Sequence, residues 1–79
     1  MKWTPEKIRK AARAANRATA TLRAEHPHVY ADTYKQWRTE QPDIPRSVAQ
    51  HQARRELKIR YPQRYAELYR QYKKEEGLE

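Results

Sequence analysis

LRAEHPHVYADTYKQWR, residues 22–38, returns 35 residues later as LKIRYPQRYAELYRQYK, residues 57–73. Six of the 17 aligned positions are identical: Leu22/Leu57, Pro27/Pro62, Tyr30/Tyr65, Ala31/Ala66, Tyr34/Tyr69 and Gln36/Gln71. Five more keep their chemistry: Arg23/Lys58, Asp32/Glu67, Lys35/Arg70, Trp37/Tyr72 and Arg38/Lys73. A period of this size is close to that of helical arrays, in which each repeat is one supersecondary unit. Each copy reads as helix, His-Pro or Tyr-Pro break, helix. Pro27 and Pro62 suit the first turn of the second helix and disfavour helix in the residue before them.

Working outward, the first helix is expected from Pro5 to Glu25, with Thr4 as N-cap, Pro5 at the first position and Glu6 at the positive end. Trp3 is placed to pack on Ile8 as a hydrophobic staple. The second helix is expected from Pro27 to Glu40, the third from about Pro45 to Arg60, and the fourth from Pro62 to about Glu76. Gly77, the single glycine, is placed to close the last one. The fold class is therefore all-α: four helices as two related helical hairpins, residues 1–40 and 46–77, joined by the linker 41–45 within one domain. Leu78-Glu79 reads as a cloning scar. Two hairpins fall short of the three or so repeats a solenoid needs. Closure as a four-helix bundle, a helix-turn-helix-like arrangement or dimerisation would cover their apolar faces.

Composition sharpens the core. A mean hydropathy of −1.38 and a net charge of +8 would suit a disordered chain. Six Tyr, two Trp and eleven Ala argue for a fold built on aromatics instead. Tyr30, Tyr34 and Trp37 stand at i, i+4 and i+7, as do Tyr65, Tyr69 and Tyr72, so each trio shares a helical face. Packing accounts for the trios economically, because both copies keep them beside Leu22 or Leu57; a stacking platform for unpaired bases is the functional alternative.

Several function classes lose their footing here. With no Cys there is neither a disulfide frame nor a thiolate site. No apolar run approaches the roughly 20 residues of a membrane span, and no signal peptide is visible, so a cytoplasmic location is expected. His26, His28 and His51 form no ligand cluster, and one glycine cannot build a phosphate loop. Acid-base pairs and activated nucleophiles have no home, so neither catalysis nor a cofactor is expected. The first helix could lie on an anionic membrane, but its apolar face is mostly alanine.

The pI near 10.1 makes a polyanion the first partner to consider. On the first helix, Ile8, Ala12, Ala15, Thr19 and Leu22 share a mostly apolar face. Arg9, Lys10, Arg13 and Arg17 lie opposite, as a stripe expected to lack carboxylate partners and to track phosphates. On the third helix, Val48, Ala49, Gln52, Ala53, Glu56, Leu57 and Ile59 take an inner side. The remaining arc carries Ser47, Gln50, His51, Arg54, Arg55 and Lys58, side chains that suit base edges and phosphates. In a helix-turn-helix-like docking, Gln50 and Arg54 would meet bases while Arg46, Arg55 and Lys58 bind backbone. The expected function is nucleic-acid binding, DNA before RNA. The alternative is a phage or bacterial protein-interaction module that binds an acidic host protein, with homodimerisation as a further route to an interface.

The pattern Leu-x-x-x-(His/Tyr)-Pro-x-x-Tyr-Ala-(Asp/Glu)-x-Tyr resembles segments of small helical proteins of actinobacteria and their phages. It rests on Leu22, Pro27, Tyr30 and Tyr34, then Leu57, Pro62, Tyr65 and Tyr69. The resemblance implies an origin of that kind and carries over no active residue.

Overall fold

The structure, a computed structural model, describes residues 2–78. Its described residues form four helices: α1 Pro5–Glu25, α2 Pro27–Glu40, α3 Arg46–Arg60 and α4 Pro62–Glu75. The Thr4 side chain accepts from the Lys7 amide at 3.2 Å and caps α1, satisfying one of the amides that a helix start leaves without a partner. Gly77 has φ +82°. Its amide donates to the Lys74 carbonyl at 3.0 Å, and the Leu78 amide to Lys73 at 2.9 Å. Those two bonds form the Schellman closure that a glycine makes possible. Glu79 lies outside the described residues.

The helices that pack together are not those of one repeat. α1 lies along α4 and α2 along α3, while α1 meets α2, and α3 meets α4, far less. The small all-α bundle expected from the sequence is what forms, with its helices pairing across the repeats rather than within each one. The chain between α1 and α2 is one residue, His26, and between α3 and α4 it is Tyr61. A helical hairpin needs about two to five residues to reverse direction. Each repeat is therefore a bent pair of helices, and closure comes from interlocking the two pairs. The bundle measures 42 × 24 × 17 Å, so it is two helices deep along its shortest axis.

The two halves are related by an approximate two-fold axis. His26 has φ −134° and ψ 61°; Tyr61, its counterpart in the repeat, has φ −127° and ψ 58°. Each break closes with the same bond, His26 to the Leu22 carbonyl at 2.8 Å and Tyr61 to Leu57 at 3.0 Å. The His26 and Tyr61 rings stack on each other, centroids 3.8 Å apart and 7° from parallel. A residue that touches its own symmetry mate sits on the axis. The axis thus passes between these rings.

The core obeys the same symmetry. Leu22 and Leu57, Ala18 and Ala53, and Ala14 and Ala49 are all at 0% exposure. Ala18, Leu22, Val29, Tyr30, Ala53, Leu57 and Leu68 form one cluster, with Tyr34, Tyr61, Tyr65, Tyr69 and Tyr72 packed on it. Five of the six trio residues, all but Trp37, therefore pack on the core. The inner face of α1 is turned from the one expected: Ala11, Ala14, Ala18, Thr19 and Leu22 are buried, while Ile8 is 56% exposed and Ala12 is exposed. Alanine wins because helices approach most closely where side chains are smallest. Trp3 is likewise 49% exposed, so the staple covers little surface. On α3 the inner side narrows to Ala49, Ala53 and Leu57, leaving Val48 and Ile59 outside.

Candidate nucleic-acid interface

The expected stripe on α1 divides in two. Arg13 Nε lies 2.9 Å from Glu76 Oε1 and Arg17 Nη2 3.5 Å from Glu75 Oε1, both carboxylates near the end of α4. Lys10 Nζ lies 3.4 Å from Glu6, one turn earlier. Arg17 also stands 4.1 Å over the Tyr72 ring, whose hydroxyl shares a 2.8 Å hydrogen bond with Thr21. The expectation that this stripe lacks carboxylate partners is overturned for three of its four members. Arg9 is the exception and forms no ion pair among the described residues. It shares the helical side of Asn16 and Arg23, which follow at i+7 and i+14.

That side of α1 forms one wall of a cleft whose other wall is α3. Two adjoining hollows make it up. The first, about 340 Å³, is lined by Asn16, Thr19, Ala20, Arg23 and Arg54. The second, about 320 Å³, is lined by Asn16, Thr19, His51, Arg54, Arg55 and Lys58. Their union is four pairs of residues 35 apart: Asn16/His51, Thr19/Arg54, Ala20/Arg55 and Arg23/Lys58. The cleft therefore straddles the approximate two-fold axis, and repeat-equivalent residues face it from both walls.

No carboxylate lines this cleft. Arg23, Arg54, Arg55 and Lys58 form no ion pair among the described residues. At repeat-equivalent positions, Arg23 lies 3.9 Å over the Tyr30 ring and Lys58 5.2 Å over the Tyr65 ring. Cation–π contact holds each stem without cancelling its charge. Burial, and then the neighbouring Tyr69, push the Tyr65 hydroxyl above its ordinary pKa, so the ring beneath Lys58 is neutral at physiological pH. The Thr19 hydroxyl donates to the Ala15 carbonyl at 2.9 Å, which leaves the Asn16 amide as the neutral donor of the α1 wall.

Carboxylates are spent elsewhere. Arg64 grips Glu25 with two hydrogen bonds, 2.7 and 3.2 Å, joining the start of α4 to the end of α1. That hydrogen bonding holds the Glu25 carboxyl below its usual range and Arg64 firmly protonated. A more open depression along α4 contains Glu67 and Glu75, and one along α2 contains Asp32 and Glu40.

Of the residues singled out in the sequence, Arg54, Arg55 and Lys58 come together in the cleft. Gln50 lies outside its lining and is half-buried, and Arg46 begins α3 as an exposed residue. His51, read on the same α3 arc, lines the cleft too, and Asn16 and Arg23 join it although the α1 surface was read without them. Their signal was the repeat offset itself, which maps α3 positions 51 and 58 onto 16 and 23. Among the described residues no three His, Asp or Glu side chains gather as a metal site, and no helix is long and apolar enough to cross a membrane. No family model, curated protein or solved structure matches the chain, so the role of the cleft rests on its chemistry.

Proposed function

We propose that the protein binds duplex DNA through its phosphate backbone, using the α1–α3 cleft and the cations along its rims. The observation that carries this reading is the cleft's charge: four permanent cations converge there with no carboxylate among the lining residues. Arg9 extends the α1 rim. From Arg9 to Arg23 the helix rises about 21 Å, comparable to roughly six base pairs of duplex. Lys10, Arg13 and Arg17 stand behind this track, their charge largely answered by Glu6, Glu75 and Glu76.

Two further observations favour duplex backbone over other modes. The tyrosine faces that could stack unpaired bases are engaged. Arg17, Arg23, Lys58 and Lys73 cover Tyr72, Tyr30, Tyr65 and Tyr69, and the rings pack on the core. The major groove is about 12 Å wide and admits one helix. Two touching helices, each about 10–12 Å across, exceed it. Base reading by Gln50 and Arg54 from inside the groove is therefore disfavoured, and weak sequence preference follows.

Fluorescence anisotropy across a salt series tests this reading. Five phosphate contacts, from Arg9, Arg23, Arg54, Arg55 and Lys58, give a slope of log affinity on log salt near −4.5. Arg54→Ala with Arg55→Ala brings it to about −2.7, whereas Arg13→Ala changes it far less. Absence of duplex binding at low salt would overturn the reading, and co-purification of one stoichiometric acidic protein would then put a protein partner in its place.

A further inference from the structure

We infer that the α1–α3 cleft is a seat for a diphosphate unit, carried by free inorganic pyrophosphate or by the tail of a nucleotide. The inference rests on the same cleft as the DNA reading and names a compact ligand for it. Shape comes first. Hollows of about 340 and 320 Å³ sit at the small end of ligand sites, which run from about 300 to 1,000 Å³. They suit a group of few atoms, and the cationic side chains that line them favour an anionic one.

Charge comes next. A phosphodiester brings one negative charge, while Arg23, Arg54, Arg55 and Lys58 bring four positive ones with no carboxylate at the lining. A single phosphomonoester carries about 1.5 to 2 charges at neutral pH, and two phosphoryl groups joined through one bridging oxygen carry about three in all. That count comes closer to the cleft's four cations than a phosphodiester does. Arginine supplies planar forked donors suited to phosphate oxygens, and lysine adds a point charge.

Symmetry comes last. Inorganic pyrophosphate has two equivalent charged ends about a bridging oxygen. The cleft has a cation at each of two repeat-equivalent positions, Arg23 and Lys58, each laid over the equivalent tyrosine. Arg54 borders both hollows. The Asn16 amide is a neutral donor on the opposite wall.

Calorimetry and amide NMR on the full chain, with inorganic pyrophosphate, orthophosphate, adenosine diphosphate and a short duplex, decide the matter. The expected result is one pyrophosphate per chain, with shifts confined to residues 16–23 and 51–58 and affinity about tenfold or more above orthophosphate. Arg54→Gln should weaken it about tenfold, Lys35→Gln on α2 should leave it unchanged, and circular dichroism should show both variants folded. Tighter adenosine diphosphate would make a nucleotide the source and equal or weaker binding a free diphosphate, and either supports the seat. Equal affinity for orthophosphate, or shifts spread over the whole basic surface, would overturn it as charge screening. Duplex binding without pyrophosphate binding would overturn this inference and leave the DNA reading standing. The reverse would support it and overturn the DNA reading.

Discussion

Leu57→Ala should unfold both halves of the protein together. Leu57 is at 0% exposure and lies in one cluster with Ala18, Leu22, Val29 and Tyr30 of the first repeat. Burying such a side chain contributes about 1.5–3 kcal/mol, and truncation adds a cavity cost, for a total of about 2–5 kcal/mol. A 79-residue chain has about 4–12 kcal/mol in all. Taking about 3 kcal/mol, and a urea dependence of about 1 kcal/mol per molar, the midpoint falls by about 3 M. The assay is urea unfolding followed at once by far-ultraviolet circular dichroism and tryptophan fluorescence. Both tryptophans, Trp3 and Trp37, lie in the first half, so fluorescence reports the half that is not mutated. Because α1 packs on α4 and α2 on α3, the two probes should shift equally in a single transition. A lowered helix signal with the tryptophan midpoint unmoved would refute the interlocked packing and restore independent hairpins. Leu57→Val, a milder truncation, should show the same coincidence if the alanine variant fails to fold.

Two further outcomes test the ends of the helices. The Glu25 carboxyl is held below its ordinary value of 4.5, chiefly by its hydrogen bonds to Arg64. A depressed folded pKa means stability present above the unfolded value and lost as pH falls below it. Acid melting of the wild type should therefore steepen below about pH 4.5, and Glu25→Gln should flatten it. An unchanged acid limb in the variant would remove this ion pair from the account. Gly77→Ala places a Cβ in open space but at φ +82°, so its cost is purely backbone, about 1–2 kcal/mol. Hydrogen exchange should show faster opening confined to the last turn of α4, and equal exchange in both proteins would argue against the Schellman closure.

Helix boundaries were legible because each is set locally. Pro27 and Pro62 open a helix and forbid the residue before them, Thr4 caps, and Gly77 releases the chain into positive φ. Which helices pair was partly legible too. A break of one residue at His26 and at Tyr61 cannot reverse the chain, so the repeats had to interlock. The inner face of α1 was misplaced because hydrophobicity gave weight to Ile8, whereas the packed positions are alanines. Extending the 35-residue offset upstream of Leu22 pairs Ala18 with Ala53 and Ala14 with Ala49, the residues that are fully buried. The fate of Arg13 and Arg17 was not legible. Their partners Glu75 and Glu76 are about 60 residues away, and no local pattern reports a contact across the bundle.

The same offset explains why the cleft exists. Fold positions match between the copies, Leu22 with Leu57 and Tyr30 with Tyr65, but the cleft positions diverge in size and charge. Arg54 and Arg55 on α3 stand at the positions of Thr19 and Ala20 on α1. Had both walls kept arginine, four guanidinium groups would face one another. Two like charges about 4 Å apart near a protein surface repel by about 4 kcal/mol at an effective dielectric of 20. Large residues on both walls would also fill the space between them. Small residues on α1 remove both problems at once. They leave room for a hollow that the α3 cations line, while Arg23 and Lys58 keep a charge at equivalent positions on the two walls. A solvated basic surface would need no such division between the walls. A site that admits an anion would, and this divergence within a shared fold supports the proposed cleft over net charge alone.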